Sequence, residues 1–353
     1  MTTRSFGLDF LRAIAILLVV FVHTLPLMPQ TLLIELALLD LSGCIGVDLF
    51  FVLSGYLMGQ QIFKKEAVNN LTGLITFSVK RFFRTYPLYL FFLILNFILF
   101  ANMELDTLSP YLTFTQFWAT NDQWKCFFYL ESWTLCLEEW FYFAISLFPF
   151  LLVLFRINYK LCVGFVVCLL CFYSIFIRWI EINYIFLDFD LIRCSTSLRF
   201  DSLCYGFFMV MLPEKINQFL ARSIVATSFL FLSIFLYIYF RSPVGNFESW
   251  AFFTFPQICL AFILPRFVLI NSSQNNIFYF LVTWTAKISF SLYLVNLIPI
   301  RLGWFYSTEY SYLEIVILYF ICCYILSFLS YFFIEFNFMR IRNLLIARIK
   351  LAK

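Results

Sequence analysis

Ala13-Ile14-Ala15-Ile16-Leu17-Leu18-Val19-Val20-Phe21-Val22-His23 is ten apolar residues closed by a histidine. An apolar run of this kind, flanked by Asp9 and Arg12 on one side, reads as a helix within a membrane. His23 is the only histidine of the chain. An ionisable side chain at that depth is costly and marks a functional site. Arg12 lies eleven positions earlier. Eleven helical steps return to within roughly 20° of the starting direction and rise about 16 Å. The two side chains therefore share a helix face, with Arg12 near one membrane surface and His23 near mid-membrane.

The rest of the chain fits this setting. It is 63% hydrophobic and 12% charged, with 51 phenylalanines, and its mean hydropathy is +0.92. Soluble domains are nearer half apolar and a quarter charged. The expectation is an all-α polytopic membrane protein. The small net charge of +4 argues against a nucleic-acid partner. Eleven cysteines fall mostly in apolar runs. Cys168 and Cys171 have CxxC spacing but no second pair and too few histidines to complete a metal site. They read as small apolar residues, and no metal is expected. Arg4 and the run 13–22 resemble a signal peptide, but Asp9 and Arg12 interrupt it and no small-residue cleavage pattern follows. The segment is expected to stay as the first span.

About ten spans can be marked: 8–28, 40–60, 82–101, 133–155, 161–178, 196–212, 223–240, 250–266, 280–300 and 313–335. With the N-terminus inside, the inner segments hold 18 of the 24 Lys and Arg residues. That asymmetry follows the positive-inside rule and predicts both termini in the cytoplasm. It leaves Arg178, Arg193, Arg199 and Arg301 on the outer side, with acids such as Glu104, Asp122, Glu131 and Asp188. Residues 1–340 are expected to form one transmembrane domain and 341–353 a short basic cytoplasmic tail. Tyr111, Trp118, Trp124 and Tyr129 in the outer loop 102–132 read as an interfacial aromatic belt rather than a sugar-stacking platform.

Several clusters could carry chemistry. Neutral His23 could take a proton from an attacking hydroxyl. Asp9, three residues before Arg12, could orient it through a local ion pair. Asp48 enters the second span, whose inner end carries Ser54-Gly55, where glycine permits close helix approach or a break. Arg81 and Arg84 share a face at the entry to the third span, beside Tyr86-Pro87. Their forked donors suit a phosphate, and anchoring to anionic lipid is the alternative. Glu138 and Glu139 point about 100° apart. Glu138 is the inward candidate, able to orient an imidazole, and Glu139 suits the water interface. Arg199 and Asp201, at i and i+2, cannot face each other on a helix. They should contact neighbouring helices or an acceptor. Glu335 could pair with an inner-face cation.

These clusters resemble, in order, the signatures of the membrane acyltransferase-3 family, which O-acylates surface glycans and related substrates. The resemblance rests on Gly7 to Ala15, Arg12-x10-His23, Gly46 to Tyr56, Arg81-x-x-Arg84 with Tyr86-Pro87, Trp133-Thr134-Leu135-x-x-Glu138-x-x-Phe141-Tyr142, Arg199-x-Asp201-x-Leu203 and Ile288 to Leu294. It implies an O-acetyltransferase of the bacterial inner membrane with acetyl-CoA as co-substrate and no permanently bound cofactor. The acceptor would be a sugar hydroxyl of a surface polysaccharide such as lipopolysaccharide O-antigen, or its lipid-linked precursor. His23 would be the general base, or would carry the acyl group as an acyl-imidazole. Glu138 would assist it, and Arg12, Arg81, Arg84 and Tyr86 would bind acyl-CoA. Asp48, Ser54, Arg199, Asp201 and Asn296 remain acceptor or structural candidates. Asn296 stands where the family often has a second histidine, and it cannot act as a base near neutral pH. Glu335-Phe336-Asn337 replaces a common Glu-Arg/Lys-Pro. The form expected is one without a fused extracytoplasmic domain. A transporter or flippase for a glycan or lipid-linked precursor is the rival reading, since intramembrane charges also line transport paths. The absence of repeat symmetry between the halves counts against it.

Overall fold

Apolar residues recurring through long stretches without strand-like alternation produce helices throughout. The computed structural model describes residues 5–27, 40–101, 108–118, 128–185, 189–240, 245–271, 276–305 and 311–351. Trp124, Glu104, Asp122 and Asp188 lie outside the described residues. The principal helices are α1 (Phe6–Val22), α2 (Leu41–Gly59), α3 (Leu71–Phe100), α4 (Trp133–Val153), α5 (Tyr159–Ile180), α6 (Phe200–Met211), α7 (Ser223–Tyr239), α8 (Phe255–Val268), α9 (Ile277–Val295), α10 (Tyr312–Ser330) and α11 (Phe336–Leu351). The chain is an all-α, multi-pass membrane protein.

Each of the ten expected segments coincides with one of α1–α10, but the helices do not all cross. Among the described residues eight are long and apolar enough to span. A ninth results if Glu214–Leu220 and α7, bent by 73°, form one span. The exception is α6. Its 12 residues rise about 18 Å, short of a hydrocarbon core of about 30 Å. The segment before it is irregular, and α5 satisfies its backbone. Ser174 donates to the Ser197 carbonyl (2.8 Å), Arg178 to the Leu198 carbonyl (2.7 Å), and the Phe200 N–H donates back to Ser174 (3.0 Å). Irregular backbone survives at membrane depth only when protein groups complete its hydrogen bonds.

Helix α2 sits at the centre, packed on α1, α6, α8 and α4. Its apolar residues point to all sides, as suits a surrounded helix, with Asp48 and Ser54 as polar exceptions. Its crossing with α6 is backbone against backbone. A Cβ on Gly55 would fall 1.8 Å from the Leu203 carbonyl oxygen, and one on Gly206 would fall 1.9 Å from that of Val52. Of the two roles open to Gly55, close approach is the one realised. Replacing Gly206 with valine should force the pair apart and cost about 1–3 kcal/mol or more. An unchanged unfolding midpoint in detergent would contradict this packing.

Helices α10 and α11 join through a π-helical turn, Tyr331–Glu335, into one helical segment, Tyr312–Ile349, apolar in its first part. The expected basic tail is therefore helical from 341 to 351, and α11 packs along the first part of α3. Tyr111, Trp118 and Tyr129, the described outer aromatics, do not form a belt. Tyr111 and Tyr129 are fully buried. Tyr129 stacks on Tyr89 at 5.8 Å, and Trp118 packs edge-on against Trp140 at 5.1 Å. The loop's aromatics cap the bundle because burial stabilises a large ring more than an interfacial position does.

Candidate functional site

Two cavities adjoin inside the bundle. The larger, about 620 Å³, collects Arg12 from α1, Ser54 from α2, Lys65 beyond it, Arg81 and Arg84 from α3, and Glu138 and Tyr142 from α4. Arg12 pairs with Asp9 at 3.6 Å, as their i, i+3 spacing allows. The Arg81 guanidinium lies 4.0 Å over the Tyr142 ring and donates to the Met58 sulfur. Glu138 accepts hydrogen bonds from Ser54 (2.9 Å) and Tyr142 (2.7 Å). Through Tyr142 it fixes the ring on which Arg81 rests. Arg84 is exposed to this cavity and makes no hydrogen bond or ion pair among the described residues. Buried Glu335, which accepts from Ser291 at 3.1 Å, exerts an opposite charge on it. The cavity thus presents four cations along one wall system.

The smaller cavity, about 210 Å³, lies toward the other end of α1. It is lined by His23, Glu131, Trp133, Arg193, and the ion pair of Arg199 with Asp48. Asp48 is saturated: Arg199, Tyr237 (2.7 Å) and Gln257 (3.1 Å) all donate to it. Arg199 also packs its guanidinium 4.5 Å from the Phe253 ring and donates to Ser202. Nδ1 of His23 is buried with no hydrogen-bond partner among the described residues. The Asn296 side chain stands beside the imidazole, and Arg193 is the cation acting on it. Val47 and Tyr293 line both cavities. The Tyr293 hydroxyl accepts from Thr134 (2.8 Å) and donates to the Glu131 carbonyl (2.8 Å), which pins this shared wall.

The sequence matches the family described as an acyltransferase domain over residues 5–335. The chain belongs to this acyltransferase family. It is 26% identical over 317 residues to "Putative O-acetyltransferase SACOL0978" of Staphylococcus aureus (strain COL), covering 82% of this chain and 49% of that protein. It is 27% identical over 238 residues to "O-acetyltransferase OatA" of Staphylococcus aureus (strain NCTC 8325 / PS 47), covering 63% of this chain and 37% of that protein. The chain spans about half the length of the first of these relatives. No solved structure matches it.

Within this acyltransferase fold the expected site residues divide. Arg12, Ser54, Arg81, Arg84 and Glu138 come together in the larger cavity, and His23, Asp48 and Arg199 come together in the smaller, with Asn296 beside the imidazole. His23 is not mid-helix but the C-terminal cap of α1. Thr24 returns its hydroxyl to the Phe21 carbonyl (2.7 Å), and Pro26 ends the helix. Glu138 points to Ser54 and Tyr142, away from the His23 cavity. Glu139 is not at the water interface but accepts from Thr85 of α3 at 2.9 Å. Tyr86 stacks on Phe82 at 4.8 Å and is absent from the larger cavity's lining. Asn296 is fully buried and donates to the Leu292 and Tyr293 carbonyls, making it the hinge between α9 and the turn Leu297–Arg301.

Asp201 lines neither cavity. It forms a fully buried pair with Arg178 (2.7 Å), braced by Thr254 and Tyr205. Arg178, counted with the outer charges at the end of the expected span 161–178, lies in the last turn of α5 and is fully buried. An arginine bordered by Ile177 and Trp179 in an apolar run is the signal that could have revealed it. Glu131, Arg193 and Tyr293 were also not singled out. Only the packing of separate helices brings them to His23.

Proposed function

We propose that the chain is an O-acyltransferase that moves an acetyl group from acetyl-CoA to a sugar hydroxyl of a bacterial surface polysaccharide. The acceptor is reached as the glycan or its lipid-linked precursor, and the protein works in the inner membrane with both termini cytoplasmic. The observation that carries this reading is the pair of adjoining cavities, one rich in cations and one holding the chain's single imidazole. Arg12, Lys65, Arg81 and Arg84 suit the phosphates of coenzyme A, since guanidinium groups offer forked donors to phosphate oxygens. In the orientation proposed here these residues sit at the cytoplasmic end. The pantetheine arm would then pass the wall of Val47 and Tyr293 and bring the thioester toward His23.

At that point a neutral imidazole nitrogen takes the proton of the acceptor hydroxyl as its oxygen attacks the thioester carbonyl. The tetrahedral intermediate collapses, the carbon–sulfur bond breaks, and the CoA thiolate leaves, taking the proton from the imidazolium. The ester stays on the sugar and the imidazole is neutral again. Ser54, Glu138 and Tyr142 hold the donor's path rather than the proton relay.

The test is labelled acetyl transfer by the purified protein, with Arg84→Glu alongside. Losing a charge-assisted contact and introducing repulsion should raise the acetyl-CoA KM by roughly 10–100-fold. The maximal rate should change little. An unchanged donor KM would remove Arg84 from phosphate binding. No coenzyme A binding by the intact protein, together with glycan movement across vesicles, would favour the transport reading.

A further inference from the structure

Glu131 stands on the turn Leu130–Ser132 that leads into α4. It is only 4% exposed and lines the His23 cavity. Among the described residues neither carboxylate oxygen meets a hydrogen-bond donor of good geometry. The groups that act on it are its own backbone N–H, the Arg301 guanidinium and the Leu297 N–H. Arg301, however, donates to the Phe128 carbonyl and lies 3.8 Å from the Phe100 ring. The cavity's other carboxylate, Asp48, has three donors and needs no more.

A buried carboxylate whose backbone donors are poorly aligned is costly, and a ligand that supplies well-aligned ones recovers that cost. An ionised carboxylate only accepts, and its two oxygens match a pair of hydroxyl donors. The same cavity is lined by His23, whose Nδ1 has no partner among the described residues, and by Trp133. Anions are disfavoured here. Arg199 is committed to Asp48, Arg193 pairs with Asp190 at 3.4 Å, and an entering carboxylate or phosphate would meet the like charge of Glu131.

We propose that Glu131 holds the acceptor: its two oxygens receive adjacent hydroxyls of a neutral sugar and leave a neighbouring ring hydroxyl against His23. This assignment rests on the acetyl-transfer reading and names its acceptor class. It makes Glu131 a binding residue in contact with substrate, distinct from the base.

The experiment titrates wild type and Glu131→Gln in detergent with methyl glucopyranoside, methyl mannopyranoside, methyl galactopyranoside and methyl glucuronide. Tryptophan fluorescence reports binding, and acetyl-CoA turnover with the same glycosides reports transfer. Glu131→Gln should weaken neutral glycoside binding and raise glycoside KM by roughly tenfold or more, with kcat and acetyl-CoA KM within about twofold. A purely structural role would shift donor KM and the melting point as well. Glu131→Asp, which keeps both acceptor oxygens, should recover part of the binding. Unchanged glycoside affinity in Glu131→Gln, preference for the glucuronide, or no neutral glycoside binding by wild type would each overturn the assignment. If wild type binds glycosides through Glu131 but releases no coenzyme A, the transfer reading falls and the sugar site stands.

Discussion

Replacing His23 with alanine should lower acetyl transfer by about 10²–10⁴-fold, the contribution of a positioned general base. No other histidine exists in the chain to substitute for it. Asn296, the polar side chain beside it, cannot accept a proton near neutral pH. The acetyl-CoA KM should be nearly unchanged, because the proposed phosphate contacts lie in the other cavity. His23→Gln should be as inactive, since it keeps hydrogen bonding but not basicity. The check is initial-rate kinetics on purified variants with matched unfolding midpoints. Transfer at the wild-type rate by His23→Ala would remove the base and, with it, the mechanism proposed.

Breaking the pair of Arg178 and Asp201 should have the largest effect on stability. Both side chains are fully buried. Arg178→Met leaves Asp201 with Tyr205 as its remaining donor. An uncompensated buried charge costs about 3–5 kcal/mol. The variant also strips the Leu198 carbonyl of its donor, at the irregular segment before α6. The double variant Arg178→Met/Asp201→Leu should recover most of the loss, because neither charge then remains buried. Unfolding in detergent measures both. A single variant within about 1 kcal/mol of wild type would show that water or a rearrangement reaches the site.

The local parts of this site were readable in the chain. Arg12 with Asp9, and Arg81 with Arg84, are three residues apart, so helical geometry alone puts each pair on one face. The structure adds only that both pairs open into the same cavity. The partners across helices were not readable. Glu138 looked like the carboxylate for His23 because both are polar groups within apolar spans. It lies instead against Ser54 and Tyr142, while Glu131, seven residues earlier, lines the imidazole's cavity. Two helical turns separate those carboxylates along α4's direction, and periodicity does not report depth.

Composition and helical periodicity suffice for a membrane-embedded bundle and for its basic end. They also suffice for the ten helical segments, because apolarity and local hydrogen bonding are properties of each segment alone. They do not tell which segments cross. Helix α6 is short because Ser174 and Arg178 of α5 complete the backbone before it, so that segment has no need to be helical. Nor do they tell that His23 caps α1, that Asp48 and Asp201 are closed ion pairs, or that Glu131 is left open beside the imidazole. Those outcomes depend on the rotation and depth of helices that are distant in sequence. Backbone contact at Gly55 and Gly206 sets part of that geometry, and side-chain spacing within one helix carries no record of it.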